Sequence, residues 1–352
     1  MAAIQLKFMT ANSGSAAWPI TWALSGGFSR QNPTPDQFAF AVTLSRITQE
    51  LNAVDEITKR GSAGQHLEVS ILPCLVLLNQ PVGGPYRYDT PASGVIQTLR
   101  LTPRNHEGQY VIGWRIDVSE NCQLDQHEDA FGNITHVFTA EGPLEELRVL
   151  VEGEVDTQDT SGVVQGAIER FPPSLFLRET PLTTFDPAIV EFARAAKAAT
   201  DGEALNVLHA LLKGLHEEIV YDTDPTNPAT TAAEAFALKR GVCQDLTHIF
   251  IAAARSLAIP ARYIGGHFHR ADGVTQQEAG HAWAEAHVPN LGWVAFDPAN
   301  GVSATDAHVR VACGLDYLGA APVRGTRYGG GGESLEVSVR VNGSQWQSQS
   351  QG

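Results

Sequence analysis

Gly241-Val242-Cys243-Gln244-Asp245-Leu246-Thr247-His248-Ile249-Phe250-Ile251-Ala252-Ala253-Ala254-Arg255-Ser256-Leu257-Ala258-Ile259-Pro260 is the stretch on which the fold turns. Leu246, Ile249, Phe250, Ala253 and Leu257 recur at helical spacing, so a helix is expected from Cys243, just after the Gly241-Val242 break, until Pro260 ends it. A cysteine in that place meets backbone N–H groups with no helical partner and the positive end of the helix dipole. Both lower a thiol from its ordinary pKa of about 8.5 towards thiolate. The same N–H groups could supply half of an oxyanion hole. Downstream lie Gly280-His281-Ala282-Trp283-Ala284-Glu285 and Gly292-Trp293-Val294-Ala295-Phe296-Asp297-Pro298, two strands joined by the short connection Pro289 to Gly292. Their hairpin brings its open ends together, and those ends carry His281 and Asp297. Cysteine, histidine and aspartate in this order can build an activated thiol from side chains distant in sequence. Register decides whether the imidazole and carboxylate share a face, and the sequence leaves that open. Each member alone has a plainer reading, a buried small hydrophobe or a polar hairpin end. The three together are the specific signal.

Working outwards, Asp186-Pro187 reads as an N-cap with proline at the first helical position, followed by the apolar face of Ile189, Phe192, Ala193 and Ala196. A second helix carries Leu205, Leu208, Leu212, Leu215 and Ile219. A third opens at the capping box Thr231-x-x-Glu234 and stops near Gly241. Beyond Pro260 strands return: Ala261 to Gly265, His281 to Val288, Trp293 to Asp297, and late on Leu335, Val337, Val339 and Val341 alternating with polar residues. Helices followed by an antiparallel sheet make an α+β core. Before it, short alternating runs at Tyr86 to Tyr88, Val95 to Leu101, Val111 to Val118, Ile134 to Phe138 and Leu147 to Val155 read as a small β domain. The division expected is an extension of uncertain fold over 1–84, with one helix near Gln37 to Leu51, a β-rich domain over 85–160, the α+β domain over 161–342 and a disordered tail over 343–352. Pro172, Pro173 and Pro181 mark the linker, and Gly329 to Gly332 reads as a hinge.

Composition narrows the function. The chain has 352 residues, 43% of them hydrophobic, so at about 100–200 residues per domain it accommodates two domains and an appendage. Its net charge is −15, from 24 basic and 39 acidic side chains, and no Lys/Arg run tracks phosphates, so no nucleic-acid partner is expected. Cys74, Cys122, Cys243 and Cys313 contain no C-x-x-C pair, which argues against a zinc ribbon or a disulfide framework and suits a reducing compartment. No run of about 18 apolar residues predicts a membrane span. The apolar patch from Ala16 to Leu24 is interrupted by Pro19 without a cleavage site following, so a cytoplasmic location is expected. His267-Phe268-His269 has short metal-like spacing but no cysteine or carboxylate ligand nearby, so neither metal nor other cofactor is expected. Oligomeric state is not specified.

The segment from Gly241 to His267, G-V-C-Q-D-L-T-H-I-F-I-A-A-A-R-S-L-A-I-P-A-R-Y-I-G-G-H, with G-H-A-W-A-E-A from Gly280 and G-W-V-A-F-D-P-A-N-G from Gly292, resembles the bacterial transglutaminase-like superfamily of papain-related thiol enzymes. Y-R-Y-D-T-P-A-S-G-V-I-Q-T-L-R-L-T-P-R from Tyr86 and H-E-D-A-F-G-N-I-T-H-V-F from His127 resemble the β-rich N-terminal domain that accompanies this core. The resemblance spans roughly residues 85–342 and implies a papain/transglutaminase-like fold, with Cys243 as nucleophile, His281 as general acid and base, and Asp297 as its orienting partner. It implies attack on a peptide or protein carboxamide through a thioester: a cysteine peptidase or amidase if water accepts the acyl group, a transglutaminase if an amine does. Hydrolysis is expected, because excluding water needs a dry, shaped amine tunnel that nothing in the sequence displays. A peptide-binding module with a degenerate thiol site is the non-enzymatic alternative.

Around the three, Gln244 and Asp245 are expected to bond the first turn of the helix. Tyr221 is a candidate second oxyanion donor, with core packing the favoured role. Arg262 and Trp283 could line the cleft or cover the sheet, and Trp283 and Trp293 are expected to pack across the hairpin. Two departures from the family pattern stand out. Its β domain normally opens with a short strand just before the Tyr-x-Tyr segment, whereas 84 unfamiliar residues stand here and both methionines, Met1 and Met9, lie among them, so a start at another codon is one expectation. His267 also stands where an aromatic is expected.

Overall fold

A computed structural model of the protein describes residues 74–78 and 85–344, except 273 and 278. The helix expected near Gln37 to Leu51 and residues 345–352 of the expected tail lie outside the described residues, whereas Gly343 and Ser344, also read as tail, are strand and pair with Val76 and Leu75. The first sheet is built on β1 (Cys74–Leu78), β2 (Pro85–Thr102), β3 (Gln109–Val118), β4 (Asp125–Glu128) and β5 (Ile134–Thr157). The 24-residue β5 is its spine, pairing antiparallel with each of the other four. Leu147, Val149, Val151 and Val155 are buried on one side, as the period-two pattern requires. Runs that read as separate strands are joined: Tyr86 to Tyr88 and Val95 to Leu101 are both β2, and Ile134 to Phe138 and Leu147 to Val155 are both β5. The pair runs past Pro91, Gly94 and Gly142-Pro143 with register shifts between Arg87 and Ala92 and between Ala92 and Gly94. β1 falls within the segment read as an extension, yet it pairs with β5 from Cys74↔Thr157 to Leu78↔Gly153.

The glycine run is not a hinge. Val323–Gly329 and Glu333–Leu335 flank it and both pair with β2. Asp89 and Thr90 donate their N–H groups to the carbonyls of Gly332 and Gly330, at 3.1 and 3.2 Å. Gly329, Gly330 and Gly331 have φ of +73°, +91° and +61°, so glycine is present because the turn is left-handed. The late alternating run is likewise divided: Glu333–Leu335 joins β2, whereas Val339–Arg340 pairs with Gln276–Gln277.

The second layer begins with α1 (Pro187–Ala198), α2 (Ala204–Glu218), α3 (Ala232–Leu238) and α4 (Cys243–Ser256). Asp186 Oδ1 accepts from the N–H of Ala188 at 2.8 Å, and Thr231 and Glu234 form the expected capping box. Among the described residues no helix is long and apolar enough to cross a membrane. α4 is more enclosed than its amphipathic pattern suggests: Ile249 to Ala254 are all buried, as in a helix surrounded by its own domain. One side of it meets the second sheet, formed by β6 (Val163–Val164), β7 (Ala261–Phe268), β8 (His281–Val288), β9 (Gly292–Asp297), β10 (Val302–Ser303) and β11 (His308–Gly314). The strand order is β10-β9-β8-β7-β11, with β6 on β9. The small side chains Ala282, Ala284 and Ala286 share a core with α4, and Phe250 stacks on Phe296 at 5.3 Å.

The other face of this sheet is fastened by charge. Glu285, fully buried, accepts from Arg262 Nε at 2.6 Å and Arg310 Nε at 2.7 Å, and Glu169 closes on the Arg262 guanidinium at 2.7 and 2.9 Å. Arg262 also lies over Trp293, 3.9 Å from the ring centroid. Of the two roles open to Arg262, covering the sheet is the one it takes. β11 is an edge strand, and two buried amides cover its outward backbone groups. Gln109 accepts from Arg310 N–H at 2.7 Å and donates to the Arg310 carbonyl at 2.8 Å; Asn133 does the same for Cys313 at 2.8 and 2.7 Å. A side chain of β3 and one from the turn just before β5 thus complete the second sheet.

Candidate active site

α4 starts where Asp245 turns back on it. Its Oδ2 accepts from the N–H of Val242 at 2.8 Å and the hydroxyl of Thr226 at 2.7 Å. Gly241 leaves room for that carboxylate, since a Cβ there would lie 2.7 Å from Oδ2. Asp245 bonds the helix start as expected. Gln244 does not, for its amide donates instead to the Pro228 carbonyl at 3.3 Å. Cys243 is then the first helical residue, and its N–H and that of Gln244 have no partner within the helix.

The hairpin register resolves the question of faces. Ala284 lies opposite Phe296 and Glu285 opposite Ala295, so Asp297 stands opposite Trp283, one diagonal step from His281 on the same side. His281 Nε2 is 2.6 Å from Asp297 Oδ2. The ring is also hydrogen-bonded to Cys243, which therefore falls to Nδ1. His281 is 11% exposed and Asp297 not at all.

Asp297 is held by five donors. Oδ1 accepts the N–H groups of Ala299 at 3.1 Å and Asn300 at 3.2 Å; Oδ2 accepts from His281, from Asn300 Nδ2 at 2.7 Å and from His308 Nε2 at 3.1 Å. Burial pushes its pKa up, but the charge and hydrogen bond of His281 and then the bond from His308 outweigh that and hold it well below the carboxylate range. Burial conversely pulls His281 down, while the Asp297 charge and hydrogen bond, with a smaller share from Cys243, raise it to about 10. An imidazolium thus stands between sulfur and carboxylate at neutral pH.

The profile of the transglutaminase-like superfamily matches residues 191–298, and that of the bacterial transglutaminase-like N-terminal region matches residues 85–156. The chain belongs to the transglutaminase-like superfamily. This is a family of thiol-dependent enzymes. An uncharacterised protein of Mycobacterium leprae is 29% identical over 271 residues, covering 73% of this chain and 95% of that relative. One of Mycobacterium tuberculosis strain H37Rv is 26% identical over 280 residues, covering 73% and 89%. Among solved structures, a candidate cysteine protease of Cytophaga hutchinsonii superposes with a TM-score of 0.62 at 19% identity, over 79% of this chain and 92% of that one, and shares the fold.

In this transglutaminase-like core Cys243 opens onto a cavity of about 1060 Å³. Tyr221, Gln244 and His281 line it together with Cys243, and Leu101, Val149 and Val337 stand on an apolar wall to which the first sheet contributes. Tyr221 is not packed in the core, the role favoured from sequence; it is 56% exposed. Its two-residue strand pairs in parallel with Arg240–Gly241, immediately before α4, and that pairing sets it at the cleft. Burial and the neighbouring Cys243 sulfur push its phenol up to about 12, so it keeps its proton.

Trp283 does not line the cleft. It is buried with Trp293, stacks on His281 at 6.1 Å and meets His308 edge-on at 5.2 Å. His267 lines the cleft with its pKa lowered by burial to about 4, a neutral rim group where an aromatic is expected. His281, Asp297 and His308 bring possible metal ligands within 4.8 Å of one another, but at hydrogen-bond distance these atoms already satisfy each other. Sequence reasoning missed Asn300 and His308. Asn300 had a local signal in the turn after Asp297-Pro298; His308 had none.

Proposed function

We propose that the protein is a cysteine peptidase or amidase that cleaves a carboxamide through a thioester on Cys243. The observation that carries this reading is His281 standing between Cys243 and Asp297, with its Nε2 2.6 Å from Asp297 Oδ2. The sulfur attacks the carbonyl carbon, and the oxyanion is met by the N–H groups at the start of α4 and by the Tyr221 hydroxyl. His281 gives its Nδ1 proton to the departing amine, leaving a thioester. Neutral His281 then takes a proton from water, which attacks the thioester, releases the acid and restores the thiolate beside the imidazolium.

The cavity's size and walls favour a polypeptide substrate with apolar side chains beside the scissile amide. Among the described residues at the cleft, Arg100 is paired with Asp129 at 3.0 Å and Arg270 with Asp272 at 3.1 Å, which supports a substrate recognised by apolar side chains. Hydrolysis is favoured over transfer because a cleft of this size admits water with the substrate. The free Cys122, Cys243 and Cys313 suit a reducing compartment, and fractionation of host cells is expected to recover the protein with the cytoplasm.

Quenched peptides with apolar or charged residues around the amide should be incubated with and without a primary amine, and the products weighed. Free acid from the apolar peptides, and none from Cys243→Ala with unchanged circular dichroism, supports the proposal. Amine adduct in preference to acid would make the protein a transglutaminase, and turnover surviving Cys243→Ala would refute the mechanism.

A further inference from the structure

Asp297 faces two imidazoles, and only one of them reaches Cys243. His308 begins β11, where it pairs with Phe268 of β7, so it arrives from the strand on the far side of β7 from His281. Its side chain is 2% exposed and packed between Phe268, at 4.8 Å, and the edge of Trp283. The N–H of Thr305 donates to His308 Nδ1 at 3.1 Å. A nitrogen that accepts that bond carries no proton, so the ring's proton is on Nε2 and points at Asp297 Oδ2, 3.1 Å away. The backbone turn ahead of β11 therefore selects the tautomer that can donate.

We propose that His308 is a positioning residue of the active site, acting through Asp297: it holds the carboxylate in line with His281 and takes up part of its charge. The inference rests on the proposed role of His281 in acyl transfer. That role asks His281 both to protonate a leaving amine and later to give up its proton so that it can activate water. A carboxylate whose charge went to His281 alone would hold the imidazolium too firmly for the second step. Sharing Oδ2 among His281, Asn300 and His308 restrains it. The groups facing this cluster are few. Cys243, Tyr221 and His267 lie on the cleft side, and His106, Glu285 and Arg310 line a small cavity behind Trp283 that His308 also borders, the last two already paired with each other.

The test is the pH profile of iodoacetamide alkylation of Cys243, which needs no substrate, in the full chain carrying His308, His308→Gln or His308→Leu. Glutamine places an amide N–H close to the position of Nε2; leucine fills space without a donor. His308→Leu is expected to move the alkaline limb upward by about one pH unit or more, the size expected for losing a hydrogen bond to a charged group. His308→Gln is expected to follow the wild type. A His308→Leu profile that superposes on wild type or falls below it overturns the proposal, as does a glutamine variant that shifts as far as leucine. Should the leucine variant not fold, nitrogen-15 NMR of the unsubstituted protein decides: a proton on Nε2 of His308 supports the assignment and one on Nδ1 overturns it. If Cys243 alkylates no faster than Cys122 or Cys313, the hydrolase reading fails, and the NMR result still reports on His308 separately.

Discussion

At the scale of single residues the site is an exercise in placing one proton. Asp297 keeps its charge while buried because five donors replace water around it, and that charge keeps His281 protonated beside a sulfur. Asp297→Asn preserves shape and removes the charge. The alkaline limb of Cys243 alkylation, expected near pH 10 in the wild type, should move down by more than a unit, and turnover should drop on the order of 10²- to 10⁴-fold. An unmoved limb would mean that another group sets the state of His281. Tyr221 is tested by Tyr221→Phe, which keeps the ring and removes the O–H. If the phenol serves the oxyanion, kcat should fall on the order of 100-fold with KM nearly constant. A change confined to KM would instead make it a wall of the cleft.

At the scale of elements, the precision of α4 and the hairpin depends on what lies behind them. The Arg262–Glu285–Arg310 cluster sits on the face of β8 that carries His281 and Trp283, four and two residues before Glu285. Glu285→Gln would leave two buried guanidinium groups without their shared counter-charge. A loss of about 3–5 kcal/mol in urea unfolding is expected, the range for breaking a buried ion pair. Less than about 1 kcal/mol would mean that solvent relaxes around the arginines. The two edge-covering amides make a smaller prediction. Asn133→Ala should cost about 1–3 kcal/mol, because the Cys313 N–H and C=O are left in a buried site without partners, while Cys243 alkylation stays unchanged. Equal stability of the two proteins would show that the sheets do not depend on this junction.

For the whole molecule, the His281–Asp297 pair couples stability to pH. The folded pKa of His281 is raised, so its contribution is complete below the unfolded value of about 6.5 and is lost as pH rises through about 10. The folded pKa of Asp297 is depressed, so its contribution is complete above the unfolded value of about 3.9 and is lost as pH falls towards its folded value. The Tm difference between wild type and Asp297→Asn should therefore be largest between about pH 4 and 6.5 and shrink on both sides. A difference that is flat from pH 4 to 10 would show that the pair contributes no linkage. The amino-acid sequence by itself determined what is local. The start of α4 at Cys243, the caps at Asp186 and Thr231 and the β8–β9 hairpin rest on spacing and chemistry within a few residues. Tertiary structure alone decided what depends on distant partners: the diagonal that joins His281 to Asp297, the exposure of Tyr221 on its short parallel pair, the continuity of β2 and β5 across apparent breaks, and the arrival of His308 from another strand. Local periodicity can select a strand or a helix, but register and neighbours are chosen only when the sheets close over their apolar faces and the polar groups between them meet distant partners.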